Sequence, residues 1–249
     1  MKKIFIIFSL ILIGLIGCKK DENPVSPSPG GQNTNPTGQP IPTFSEANNG
    51  VLASIKYKQN VMGFPIEMKM AFANLGEGGK DAGNVYVNTT QLSKVTMANT
   101  TYYMAPYQNS PEPNIDFNGQ THRWEVGGNS ASGIPSFFVD VVSPTNFQII
   151  EPAANANVSK SSGFTIRWGT ATNTKIMINL TSTVGNAVFT KVDLPDNGSY
   201  SITAQDLSRF PAGKALLQVV KYRYSIKSVD GKNYIAVSEI IESIDVNIN

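Results

Sequence analysis

The chain reads as an all-β protein, built as tandem antiparallel β-sandwich domains that follow an export signal and a proline-rich tether. Three observations predict this class. Apolar and polar residues alternate with period two through most of the chain after Glu46. Turn-forming pairs punctuate those runs at Gly78-Gly79, Asn118-Gly119, Gly127-Gly128, Asn197-Gly198 and Asp230-Gly231. No stretch beyond residue 18 carries a long apolar stripe at helical spacing. Period two places one side of a segment on a core and the other in solvent, which is the mark of a half-buried antiparallel strand.

The first element is residues 1–17. Lys2 and Lys3 form a positive start, and Ile4 to Gly17 is apolar apart from Ser9. As a helix those fourteen residues would span about 21 Å, short of a bilayer core of about 30 Å. The segment therefore reads as a cleavable signal and not a membrane span. It ends in Leu15-Ile16-Gly17-Cys18, and Cys18 is the only cysteine. This run resembles the lipobox of bacterial lipoproteins. The resemblance implies cleavage between Gly17 and Cys18, lipid on the Cys18 sulfur, and attachment to a membrane, the outer membrane of the cell envelope, through that residue. Two or three acyl chains, palmitate among them, hold a protein stably where one is marginal. Lys19-Lys20-Asp21-Glu22 is similar to the short charged export signal of surface lipoproteins in Bacteroidetes-type bacteria; a solvated start to the linker is the other reading.

Residues 18–45 form the second element. Asn23 to Ser45 holds no charged residue and six prolines among Gly, Ser, Asn, Gln and Thr. Such a stretch cannot build a core, and proline lacks the amide donor that helix and sheet require. A disordered tether is expected there, with a coil dimension of roughly 30 Å.

Residues 46–143 and 144–249 are the third and fourth elements, divided at Ser143-Pro144-Thr145-Asn146. In the first, Ile66, Met68, Met70 and Phe72 alternate with Glu67, Lys69 and Ala71, and His122, Trp124 and Val126 with Arg123 and Glu125. In the second, strands are expected near 147–150, 163–168, 174–180, 186–192, 199–203, 214–226 and 233–248. Seven strands in about 100 residues point to a β-sandwich. Ile150-Glu151-Pro152, Phe164 to Trp168 and Asp196 to Ile202 resemble immunoglobulin-like and fibronectin type III-like modules. The first half, similar in length and texture, is expected to be a second sandwich. One helical turn is expected near Ala204 to Arg209, with Thr203 as its cap.

Several chemistries are excluded or disfavoured by composition. Lys plus Arg is 20 and Asp plus Glu is 18; loss of Lys2 and Lys3 would leave 18 of each and no net charge. No basic cluster follows residue 20, so the phosphate attraction that nucleic acid binding needs is missing. A single Cys allows no internal disulfide and no thiolate cluster. The one histidine, His122, shares strand parity with Trp124 and Val126 and reads as a structural residue and not a catalytic base. One His cannot supply the usual zinc set. Gly76-Glu77-Gly78-Gly79 has no strand–loop–helix context and reads as a hairpin tip, not a phosphate loop. Asp193, Asp196 and Asn197 carry oxygens that suit calcium, but Asp-Asn-Gly is a favoured tight turn, and the turn is the reading taken. Glu67, Glu125 and Asp140 sit at outward strand positions. No catalytic residue, metal site or cofactor is assigned.

Aromatic side chains carry the remaining functional expectation. Tyr102, Tyr103 and Tyr107 stand in a run leading to Pro111 and Pro113. Exposed together, they would offer flat rings to a glycan or a surface protein, since tyrosine gives large contact area at low entropic cost. Packing is the competing reading for these three, for Tyr222 and Tyr224, and for Trp124 and Trp168. The function expected is a lipid-anchored, non-catalytic binding or structural module, as in adhesion or scaffolding. The alternative is a carbohydrate-binding accessory protein or a carboxylate-dependent glycoside hydrolase.

Overall fold

The computed structural model describes residues 33–34, 37–44, 49–61, 64–97, 99–170 and 173–249. Gly17, Cys18 and the tether up to Gln32 lie outside them. Two short strands come first, β1 (Asn33–Thr34) and β2 (Pro40–Ile41), paired with each other. The first half then supplies β3 (Gly50–Val61), β4 (Phe64–Leu75), β5 (Val85–Val87), β6 (Thr90–Gln91), β7 (Ser93–Met97), β8 (Thr100–Ala105), β9 (Thr121–Val126) and β10 (Phe137–Val142). The second half supplies β11 (Ile149–Glu151), β12 (Asn157–Val158), β13 (Phe164–Trp168), β14 (Lys175–Ser182), β15 (Val188–Pro195), β16 (Ser199–Ile202), β17 (Gly213–Val229) and β18 (Lys232–Ile248). All seven strands expected in this half are present. The turn near Ala204 is not a helix, although Thr203 and Asp206 exchange the hydrogen bonds of a cap: Asp206 N donates to Thr203 Oγ1 and Thr203 N to Asp206 Oδ2.

The fold is all-β, with stacked sheets. One nine-stranded sheet runs β15-β14-β17-β18-β3-β4-β8-β7, with β12 beside the end of β18. Two smaller sheets, β10-β9-β5-β6 and β11-β13-β16, share one buried cluster with its inner face. The first half thus contributes four strands to the large sheet and the second half five, and each half covers them with a small sheet of its own. Trp124 fills the core under one small sheet and Trp168 under the other.

The division at 143–146 marks where one small sheet ends and the next begins, but the two halves are not separate bodies. β18 pairs in parallel with β3 from Ile235↔Val51 to Ser243↔Gln59, so the large sheet is continuous across the chain. Residues 32–249 form one compact unit. A continuous seam leaves neither half an unpaired central edge, which sheets otherwise have to protect. Against it lies the long hairpin of β17 and β18, paired from Gly213↔Ile248 to Val229↔Lys232. The hairpin turns at Asp230-Gly231, both with positive φ, the geometry a two-residue hairpin requires.

The outer face of the large sheet corrects the extent of the tether. Pro40, Ile41 and Pro42 are buried, and Ile41 belongs to a second apolar cluster with Ile55, Val220, Val237 and Ile241. Phe44 lies 5.0 Å from Tyr224, ring centroid to centroid. Residues 37–44 therefore form a strap on that face. Prolines suit a segment that lies on a face and adds no ladder to the sheet, because no amide donor is needed there.

Candidate functional site

The expected tyrosine platform does not form. Neighbouring residues of a strand point to opposite faces, so β8 sends Tyr102 into the outer cluster and Tyr103 into the inner one. The Tyr103 hydroxyl accepts from Ala82 N at 2.8 Å and donates to Asp81 Oδ1 at 3.1 Å. Burial pushes its phenol up to about 12. Tyr107 is half-buried against the outer cluster. Tyr222 and Tyr224 pack on the outer face as well; the Tyr222 hydroxyl accepts from Asp193 N at 3.1 Å.

His122 is fully buried and held at both ring nitrogens. Nε2 lies 2.9 Å from the Asp116 carbonyl oxygen, which can only accept, so Nε2 carries the proton. Nδ1 is left to accept from Ser54 Oγ at 2.7 Å, with Ser238 Oγ at 3.2 Å. A serine beside a histidine is the geometry of an activated nucleophile, but this pair is sealed between the sheets, with Ser54 and Ser238 also buried. Desolvation lowers the histidine pKa, although the Asp116 carbonyl opposes it. The serine partners were missed from sequence because they lie 68 and 116 residues away, on β3 and β18.

Asp196 also turns inward. Its carboxylate accepts from Trp168 Nε1 at 2.7 Å and from Thr174 Oγ1, and pairs with Lys221 Nζ at 2.9 Å. Lys221 Nζ donates in addition to the Gly169 carbonyl at 2.6 Å. Burial opposes ionisation of Asp196, but its hydrogen bonds and the ammonium outweigh it and hold the carboxyl below its usual range. Asp193 pairs instead with Lys175 at 3.2 Å, so Asp193 and Asp196 do not converge on a shared cation position. Among the described residues no three metal-ligating side chains gather. Glu125 and Asp140 flank Arg123, as solvated charge at outward positions would, whereas Glu67 shares the inner-side parity of Ala71 in β4 and pairs there with Lys56.

An open groove of about 430 Å³ lies where the chain passes from one half to the other. It is lined by Lys58 of β3, by Asn146, Phe147, Gln148 and Ile150, and by Gly169. Asn146 and Gln148 expose their amides, and Ile150 is 63% exposed. Lys58 Nζ is steadied by Glu242 Oε1 at 3.0 Å. Burial pushes the Glu242 carboxyl up, against the pull of Lys58 and Lys56. This lining offers amide donors and acceptors, one ammonium and an apolar wall. Period-two reading missed it because the segment 146–150 and Lys58 are brought together only by the seam.

No family model and no curated protein matches the chain. Among solved structures, it is similar to the chicken CNTN1 FN1-FN3 domains, at 10% identity and a TM-score of 0.22, over 76% of this chain. The chain spans 66% of the length of that structure. It is also similar to Dpr11 IG1 bound to DIP-gamma IG+IG2, at 10% identity and a TM-score of 0.18, covering 82% of this chain and 99% of that one. Similarities this loose add nothing to the fold described above. No helix among the described residues is long and apolar enough to cross a membrane.

Proposed function

We propose that this protein is a lipid-anchored cell-envelope module that binds or scaffolds and does not catalyse. The groove at Lys58, Asn146, Gln148 and Ile150 carries this reading, because its lining sets amide hydrogen-bonding groups and one ammonium beside an apolar wall, the chemistry of recognition. The buried roles of His122 and Asp196 support it, since the side chains best suited to acid–base work are committed to the core. A glycan or a peptide segment of a surface protein fits the lining, through amide hydrogen bonds and contact with Ile150. The test is a glycan array and a surface-protein pull-down with the chain from Lys19 to Asn249. A specific hit that Gln148→Ala and Ile150→Asp both weaken supports the groove. Blanks on both assays leave the scaffold role alone.

Anchoring rests on the run Leu15-Ile16-Gly17-Cys18. Cys18→Ala should lose acyl labelling and membrane association; unchanged association would overturn the anchor.

A further inference from the structure

The outer face of the large sheet holds one group that its surroundings do not explain. Glu239 of β18 is 0% exposed, and neither of its carboxyl oxygens has a hydrogen-bond partner. Across the strands it stands level with Ile55 of β3 and Tyr222 of β17. Val237 and Ile241 flank it along its own strand, on the same face.

The strap runs along the outer face past the level of this residue. Gln39 Oε1 accepts from Gln218 Nε2 at 3.4 Å, and Gln218 is level with Ser243. Five residues later Phe44 packs on Tyr224, which is level with Val237. Gln218 to Tyr224 is about 20 Å along β17, and Gln39 to Phe44 about 17 Å of extended chain. Residues 39–44 thus run along the strands, and the level of Glu239 lies between their two points of contact. Ile41, at the middle of the run, joins the cluster that surrounds Glu239. Gln39, Ile41 and Phe44 meet the sheet through their side chains, and β2 pairs with β1.

We propose that residues 37–44 are a proton-linked strap, closed over the outer face while Glu239 is protonated and released when Glu239 ionises. An unpartnered carboxylate in an apolar site has nothing to offset its lost hydration, so the site keeps the neutral acid. Burial accordingly raises the Glu239 pKa well above the ordinary value. Release wets the carboxyl and lets it ionise, so opening is coupled to the loss of one proton.

The neighbouring groups leave this coupling to Glu239. The strap residues 37–44 include no titratable side chain. Tyr57 and Tyr222 face the same cluster with phenols that burial pushes up, away from the carboxyl range. Tyr102, Tyr107 and Tyr224 are the other phenols on this face. Lys175 and Asp193, at the β14–β15 end, form an ion pair with each other. β4 contributes Met68, Met70 and Phe72, which do not titrate.

Methyl NMR on the isoleucine-labelled full-length chain tests the proposal, with Ile41 reporting the strap and Ile178 and Ile240 the inner core. As pH rises from about 5 to about 9, the Ile41 signal should pass from its docked to its open position in a one-proton transition. The open-to-docked ratio should grow about tenfold per pH unit while the open form is ionised and the docked form is not. Ile178 and Ile240 should stay in place. Glu239→Gln, neutral at every pH, should keep Ile41 docked throughout, and Glu239→Met should do the same if the amide disturbs the sheet. The proposal is overturned if Ile41 does not respond to pH in the unmodified protein. It also fails if Ile41 titrates equally in both variants, or if Ile178 and Ile240 shift in step with it.

Discussion

Lys221 of β17 reaches Asp196, which lies outside the large sheet beyond the end of β15, with Nζ and Oδ2 2.9 Å apart and both side chains buried. The pair joins the large sheet to the small sheet of the second half through Trp168, whose indole Nε1 donates to the same carboxylate. Removing one partner leaves the other charge buried and alone. Lys221→Met or Asp196→Ala should therefore cost about 3–5 kcal/mol of folding stability by urea denaturation. The double variant should recover part of that loss.

Asp196 also sets an acid limit. Its folded carboxyl lies below the usual range, so its contribution is present above the unfolded pKa and is lost as pH falls through the folded one. Difference curves of stability against pH, unmodified protein minus Asp196→Asn, should shrink only toward acid. A difference that grows toward acid would contradict the pairing.

His122 gives a signal of its own. Burial lowers its pKa, so the unfolded chain binds the proton more readily. Its contribution is present above the ordinary histidine value and fades as pH falls below about 6.5. Glu239, whose pKa is raised, acts in the opposite sense, because its contribution fades as pH rises. Stability curves of His122→Phe and Glu239→Gln should therefore depart from the unmodified curve with opposite slopes. Nitrogen NMR should find the ring proton of His122 on Nε2.

The seam between β3 and β18 predicts one cooperative unit. Trp124 reports the first half and Trp168 the second, so Trp124→Phe and Trp168→Phe each leave one half visible. Their urea transitions should coincide within each variant with the loss of far-ultraviolet β signal. Two separated transitions would mean that the halves unfold independently. Limited proteolysis should leave a resistant core that still carries Pro40 to Phe44, and a cut at 143–146 should not release the halves.

Much of the architecture is legible in the residues. Alternation in β9 and β13 places His122, Trp124, Ile166 and Trp168 inward, as the structure does. β4 shows where such reading stops. Its apolar stripe, Ile66, Met68, Met70 and Phe72, faces the outer side, and Ile66 and Met68 remain exposed there. The inner side takes Ala71, Ala73 and Leu75. Both faces of this sheet bury apolar groups, so the larger side chains do not mark the sandwich side.

The sequence by itself determined what depends on neighbours in the chain: strand period, turn positions, the all-β class and the run ending at Cys18. Each follows from local stereochemistry or from a short contiguous pattern. Tertiary structure alone decided that β3 and β18 lie side by side, that Ser54 and Ser238 meet His122, and that Lys221 meets Asp196. It also turned the last part of the proline-rich segment into a strap on the outer face of the large sheet. These are pairings between residues far apart in the chain, set by which strand edges meet and which faces cover each other. A period of two specifies a face for every strand and names no partner for any of them.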